Sequence, residues 1–317
     1  MMPPFATDLA VRRLLTAAGQ APSVLNTQPW RLRAVRGEFA ELLADPDRRL
    51  RVSDPRGRSL HVSCGAALFN LRLALRTAGH RPLIWLLPNT AVEPRLLAAV
   101  RVSPHEPASA RTRELYDRIG LRRTNREPFG ERPLPRYVLA DLRRAAALEG
   151  AGLVLPDPRA SADLLECVAV ADDELSKDSG YRAELRAWTT GGGRYDGLPS
   201  YVQGPRCADD PAPVRDFGQH EEREPVHFES GPRLAVLTTA GDRPVDWLRA
   251  GQALQRLLLT ATLHGVSASF LNQPLDLRDM RHRSDPRHRR GHIQMIIRLG
   301  YGPTVPRAPR RPVAELA

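Results

Sequence analysis

The sequence predicts an α+β protein in which one plan is used twice within a single chain, with antiparallel-type sheets flanked by helices. Three observations carry this. Stretches with apolar residues three and four apart alternate with short stretches of two-residue alternation or continuous apolar character. The order helix, strand, long apolar helix ending at Gly, strand runs through residues 1–115 and restarts in residues 116–317. The two long helices echo each other, as "AALFNLRLALRTAGHR" and "QALQRLLLTATLHGVS", and each offers an apolar face wide enough to pack two halves together.

The elements follow in order. "DLAVRRLLTAA" places Val11, Leu14, Leu15 and Ala18 on one helical face, with Thr7 or Asp8 to cap its start and Gly19 its end. In the next segment Trp30, Leu32 and Ala34 alternate with Arg31 and Arg33, which is strand periodicity. Arg36-Gly37-Glu38 then turns the chain into a second strand. A small-residue and apolar helix over 60–79 ends at Gly79. "RPLIWLLP" is a short buried strand, and "PRLLAAVRVS" is a strand or short element after it. In the second half "ARTRELYDRIGLRR" is a helix with a basic end. Pro135 suits the first turn of another, with Val138, Leu142 and Ala145 on one face. "AGLVLP", "RLAVLTTA" and "IQMIIRLG" are strands; "DLLECVAVADDEL" and the segment 246–265 are helices.

Composition sets bounds. Apolar residues make up 42% and charged residues 26% of 317 residues, as in water-soluble globular proteins. No apolar run approaches the ~18–20 residues a membrane span needs, and the N-terminus lacks the basic-then-apolar pattern of a signal peptide. Cys64, Cys167 and Cys207 are widely spaced and odd in number, which fits a reducing cytoplasm and offers neither disulfide framework nor metal site. The net charge of +11 invites nucleic acid as a partner. The positive charge is almost all arginine, spread along the chain with acids beside it, so no nucleic-acid partner is expected. The His- and Arg-rich run 281–292 contains no stacking aromatics and reads as a solvated loop. The chain has no dinucleotide fingerprint, Walker loop or nucleophile elbow.

Two short stretches look like parts of a ligand site. In "APSVLNTQPW", 21–30, Ser23, Asn26, Thr27 and Gln28 follow Pro22 just before a strand. Asn and Gln present donor and acceptor together, which suits a heterocycle edge; the same residues also suit a polar turn. In "RRTNREPF", 122–129, Arg122, Thr124 and Arg126 could converge on a phosphate, or form a solvated basic loop. Residues 188–225 are rich in Gly, Pro and charge, with Trp188, Tyr195, Tyr201 and Phe217 interspersed. An insertion of that length is either a solvated excursion or a lid hinged at the glycine triplet 191–193.

Taken together, "APSVLNTQPW", "RRTNREPF", "LHGVSASFL", "IIRLGYG" and "RAPRRPVAEL" resemble the flavin-binding nitroreductase family, and "DPRGRSLHVSCGAALFNLRLALRTAGHRP" resembles its Acg subgroup of fused chains. In that family the arginine segment opens the chain and the "APSxxN" segment follows. Each flavin of the homodimer lies between the arginine segment of one subunit and the "APSxxN" segment of the other. Here the order is reversed. The first half keeps "APSVLNTQPW" without an arginine opener. The second half keeps "RRTNREPF" but has "AAALEGAGLVLP" where the other segment belongs. The resemblance therefore implies a nitroreductase-like fold with two fused repeats forming an internal pseudo-dimer. It also implies one composite FMN site and a monomer.

Carried over, the resemblance implies that Arg122 and Thr124, with Arg123 beside them, hold the phosphate or ribityl chain of FMN, and that Arg126 approaches its N1/C2 edge. Pro22, Ser23 and Asn26 would meet the ring and its N3/O4 edge, with Gln28 either beside them or a turn bond. Ser269, Phe270 and Leu271 would cover the ring near N5, and Arg310 and Arg311 would reach the phosphate. No protein acid or base and no metal is required. The implied activity is NAD(P)H-dependent reduction of a nitroaromatic, quinone or similar small acceptor. The insertion motivates another reading, a flavin-holding protein with little turnover, in which Trp188, Tyr195 or Tyr201 fills the place where nicotinamide must stack.

Overall fold

A computed structural model of the chain describes residues 8–35, 39–103, 107–189, 194–209, 211–217, 225–277 and 291–316. The expected turn at 36–38, the cap at Thr7, the glycine triplet 191–193 and all but the last two residues of the 281–292 run lie outside the described residues.

The first half runs α1 (Asp8–Gly19), β1 (Trp30–Val35), β2 (Phe39–Ala44), α2 (Arg58–Thr77), β3 (Arg81–Leu86) and β4 (Leu96–Ser103). Helix α3 (Ala110–Arg118) follows, so the boundary expected after residue 115 falls inside a helix. The second half runs α4 (Arg136–Ala147), β5 (Gly152–Val154), α5 (Pro158–Lys177), α6 (Ser179–Thr189), β6 (Arg206–Cys207), β7 (Pro225–Val226), β8 (Arg233–Thr239), α7 (Pro244–Leu263), β9 (Ser267–Phe270), α8 (Gln273–Asp276) and β10 (His292–Gly300).

The two four-stranded sheets have the orders β1-β2-β4-β3 and β5-β8-β10-β9, and every pairing in them is antiparallel. The orders superimpose if β1, β2, α2, β3 and β4 are matched to β5, β8, α7, β9 and β10. The α+β class and the doubled plan of the sequence are thus present in the fold. The segment from α5 to β7 occupies the place of the β1–β2 turn. Sequence patterning missed α6, whose Ser-Gly opening hides its start; Tyr181 and Leu185 bury one face, and Asp178 Oδ1 accepts the Tyr181 N–H at 3.0 Å.

Strand patterning follows burial except in β3, expected to be a buried strand: it lies at the sheet edge, with Leu83 and Trp85 exposed. In β1, Trp30 and Leu32 point inward while Arg31 and Arg33 point out, and Arg33 pairs with Glu41 across the hairpin. In β8 and β10 both faces are covered, so their apolar residues run on without alternation, interrupted in β10 by the buried Gln294 and Arg298. The centre of the molecule is the crossing of α2 and α7. A Cβ on Gly65 would run into the Leu248 carbonyl oxygen, and one on Gly251 into the Val62 carbonyl oxygen. Only glycine lets the two backbones approach this closely. Below the crossing, Gln255 donates to Asn70 at 2.7 Å, and Asn70 donates to the Ala17 carbonyl at 2.9 Å, which gives each buried amide nitrogen an acceptor. Cys64 is buried in α2 with its thiol against the Pro29 carbonyl, and burial pushes that thiol far above its ordinary range; it is a packing residue. No helix among the described residues is long and apolar enough to cross a membrane.

Candidate functional site

The site lies where the two halves differ. Ten residues, 20–29, separate α1 from β1, whereas four, 148–151, separate α4 from β5. The longer connection carries "APSVLNTQP". Conversely the arginine segment precedes α4. One composite site results, with a loop from each half.

The first loop is held in an uncommon backbone conformation. Leu25, Asn26 and Gln28 have φ of 44°, 54° and 49°, each costing on the order of 1 kcal/mol or more. The residues around them fix it. Ser23 Oγ accepts the Gln28 N–H at 2.9 Å, and the Thr27 N–H and hydroxyl both donate to the Val24 carbonyl at 2.9 Å. The second loop lies along β9: the Asn125 N–H donates to the Ala268 carbonyl at 2.9 Å, and Thr124 bridges the same residue. Its Phe129 packs into the space left by Gly300 and Gly302, which explains the glycines of "LGYG".

Between the loops lie two adjoining cavities, enclosing about 790 and 520 Å³ of non-atom space that includes their open mouths. Pro22, Ser23, Thr124, Arg126 and Leu198 line both and mark the junction. The larger is mostly apolar, with walls from Val24, Leu25, Val62, Leu254, Phe270 and Met295. A register shift in β10 between Ile293 and Met295 accompanies the turn of Met295 toward it. The smaller is lined by Arg122, Arg123, Arg307 and Arg310 with Asn26 and Gln20, and no Asp or Glu is among its described lining residues.

The electrostatics of the smaller cavity are unbalanced. Burial pulls the Arg122 guanidinium down to about 9, helped by Arg310, Arg123 and Arg126. Burial and then Arg215 pull Arg126 to about 10; burial, Arg307 and Arg123 do the same to Arg310. Nε and one terminal nitrogen of Arg122, and Nε of Arg310, are buried without a hydrogen-bond partner. Unsatisfied buried donors on clustered cations are costly. An anion with several acceptor oxygens would satisfy them.

The expected residues divide. Pro22, Ser23, Thr124 and Arg126 stand at the junction; Arg122, Arg123 and Arg310 line the arginine cavity; Phe270 lines the apolar one. Asn26, expected at a ring edge, sits instead in the arginine cavity. Its amide donates to the Gly197 and Pro309 carbonyls at 2.9 and 3.1 Å and accepts from Arg310. Gln28 lines neither cavity: it donates to the Tyr195 carbonyl at 2.8 Å and accepts the Arg311 N–H at 2.9 Å. Arg311 lines neither as well, because it ties the chain end to the Gln28 and Trp30 carbonyls. Ser269 and Leu271 also lie off the cavities, since side chains alternate along β9 and Phe270 takes the inward position.

Several lining residues had no signal in the motifs. Ser59, Val62 and Ser63 come from the first turns of α2, and Asn272 and Asp276 from the end of β9 and α8. Their helical spacing shows a face but not what it faces. From the insertion come Leu198, Arg215 and Phe217. The aromatics expected there do not line the cavities: Tyr195 and Tyr201 are exposed, and Trp188 packs in a cluster with Leu25, Leu50 and Tyr181. The insertion is fastened to the site, with Arg126 donating to the Val202 carbonyl at 2.7 Å and Arg48 paired with Asp196 at 2.7 Å.

No family model matches the chain. It is similar to Mycobacterium tuberculosis proteins. One, provisionally named NAD(P)H nitroreductase Rv3131, is 33% identical over 315 residues, covering 96% of this chain and 90% of the relative. Another, provisionally named NAD(P)H nitroreductase acg, is 30% identical over 322 residues, covering 98% and 95%. Among solved structures, the FMN-dependent nitroreductase NfnB from Mycobacterium smegmatis in complex with NADPH aligns with a TM-score of 0.40 at 16% identity, over 65% of this chain and 97% of its own. A nitroreductase with bound FMN from Bacteroides fragilis aligns with a TM-score of 0.31 at 15% identity, over 60% and 89%.

Proposed function

The chain belongs to the nitroreductase family, in its Acg-like subgroup, and from that premise we propose that it is an FMN-dependent oxidoreductase that draws on NAD(P)H and reduces a nitroaromatic, quinone or similar small acceptor. The observation that carries this is the join of an arginine cavity, holding buried unsatisfied guanidinium donors, to a mostly apolar one. That is the shape and polarity of a phosphate attached to a flat ring.

In this reading Arg122, Arg123 and Arg310 grip the phosphate, and Arg307 adds charge at the same cavity. Ser23, Thr124 and Pro22 flank the linking chain at the junction. Val62, Leu254, Met295 and Phe270 hold the ring and keep water from it. Arg126, buried at the junction, is the cation available to stabilise negative charge on the reduced cofactor. When bound, FMN supplies the hydride chemistry; the protein supplies position, dryness and charge. Because each half contributes one loop, the repeats are assigned as 1–115 and 116–317, joined within α3, and the active species is a monomer.

A second reading has a specific observation behind it. Leu198, Arg215 and Phe217 of the insertion line the apolar cavity, so the segment that covers the ring could also exclude nicotinamide, leaving a flavin-holding protein with little turnover.

One experiment tests both: visible absorption of the purified protein, incubated with FMN, then with anaerobic NADPH, then with dithionite. Flavin bands that bleach with NADPH are expected. Bands that bleach only with dithionite favour the flavin holder. Absence of flavin binding overturns the FMN assignment.

A further inference from the structure

The apolar cavity has two charged side chains besides Arg126, and the reading above gives them no task. Arg215, from the insertion, and Asp276, from α8, both line it. Both side chains are largely buried, with exposures of 10% and 5%, and they meet at 3.5 Å through one terminal nitrogen of the arginine. The Nε–H of Arg215 is buried with no acceptor. The guanidinium is held by Tyr181 and Phe217, whose ring centroids lie 5.6 and 6.0 Å from it. A side chain that served only to fasten the insertion would be expected to spend its donors on the partner. Arg215 instead leaves one donor without a partner, its side chain lines the cavity that Phe217 and Phe270 also line, and a guanidinium edge is the side-chain group best shaped for a planar anion.

We propose that Arg215 determines specificity by reading a planar anionic group, a carboxylate or its equivalent, on an aromatic acceptor bound in the apolar cavity. The acceptor's ring lies at the Phe217 side of the cavity, beside the space that the flavin ring takes against Val62, Leu254, Met295 and Phe270, and its anionic group takes the donors that Asp276 leaves unused. Asp276 is then a competitor for the same guanidinium, which sets the preference at an intermediate strength. The proposal rests on the flavoenzyme reading for the acceptor's role, but not for the binding itself.

The test is calorimetric titration with two near-isosteric probes, 4-nitrobenzoate and 4-nitrobenzamide, reading the ratio of their affinities. It is done on protein with and without added FMN, so that failure to bind FMN counts against the flavoenzyme reading while the ratio still decides this one. The wild type is expected to favour the carboxylate. Arg215→Gln is expected to lower the ratio about tenfold or more, the size of one charge-assisted hydrogen bond. Asp276→Asn, which removes the competitor, is expected to raise it. Opposite signs in the two variants are the signature, because a mere fastening role predicts that both loosen the insertion and shift both probes alike. No carboxylate preference in the wild type, or a ratio indifferent to Arg215→Gln, overturns the proposal.

Discussion

Gly65 of α2 and Gly251 of α7 face one another at the helix crossing, each with a carbonyl oxygen of the opposite helix where its own Cβ would stand. The contact joins the two halves back to back, and it is reciprocal, as the interface of a two-fold pair is. The obstacles are backbone atoms, which cannot turn aside as a side chain can. Gly65→Ala and Gly251→Ala are each expected to destabilise the protein by about 1–3 kcal/mol or more, despite the better helix propensity of alanine. Denaturant unfolding checks this. If alanine at either position is neutral, the helices are not packed as closely as described.

How far the sequence makes this legible depends on the kind of information each feature carries. Strand and helix periodicity is local, so α1, α2, α7, β8 and β10 could be read from spacing alone. The pairing of α2 with α7 could be suspected from their likeness, but Gly65 and Gly251 are unremarkable in the sequence. The two loop motifs pointed to a site because uncommon residue types cluster in them. They did not reveal which side chains turn inward, since that is decided by strand alternation at Ser269 to Leu271 and by the long-range bonds of Asn26, Gln28 and Arg311. Arg215 and Asp276 were invisible for the same reason: 61 positions apart, they meet only after α8 and the insertion have docked.

The arginine cavity makes a prediction of opposite signs. Arg122 is charged, buried and partly unsatisfied. Arg122→Met keeps much of its volume and removes the unpaired charge, so the flavin-free protein is expected to gain about 1 kcal/mol or more. The same change is expected to weaken FMN binding by about tenfold to a hundredfold, because a phosphate partner is lost. Thermal unfolding without FMN and flavin fluorescence titration read the two effects separately. A loss of stability in the flavin-free variant would contradict the assignment of Arg122 as an unsatisfied cation.

Asp276 gives a pH dependence whose sign is fixed by its surroundings. Burial pushes its carboxyl from 3.8 up to about 6, against the attraction of Arg215 and Arg58 and with the repulsion of Asp54 and Glu184. Between those values the folded chain holds a proton that the unfolded chain has released. The stability contribution is therefore full below pH about 4, falls as pH rises through the window, and is lost above pH about 6. Asp276→Asn cannot ionise and lacks this decline. The difference in unfolding free energy between variant and wild type is expected to move toward the variant by on the order of 1–3 kcal/mol from pH 4 to pH 7. Subtracting the two proteins removes the common titration of Asp172, whose carboxyl burial also pushes up. A difference that stays flat across the window would show that Asp276 is ionised throughout.

The last prediction concerns what holds the arginine segment against the second sheet. Arg298 of β10 is fully buried, and Glu229 meets it with both oxygens, at 2.6 and 2.5 Å. Phe129 and Phe228 lie over the guanidinium with ring centroids at 3.9 and 4.9 Å. Glu229 also accepts the Phe129 N–H at 2.9 Å, and Arg298 donates to the Glu127 carbonyl at 3.1 Å. The end of "RRTNREPF" is thus bound to a buried ion pair. Glu229→Ala strands the arginine charge and is expected to cost about 3–5 kcal/mol. Because Phe129 loses its acceptor, FMN retention is expected to fall as well, although Glu229 lines neither cavity. Replacing both partners, as in Glu229→Leu with Arg298→Met, removes the stranded charge and is expected to recover much of the stability, since an apolar pair pays no desolvation. It leaves the Phe129 N–H and the Glu127 carbonyl without these partners, so flavin retention should recover less than stability does. Equal recovery of both in the double variant would mean that the ion pair supports the site only through overall stability and does not position the arginine segment.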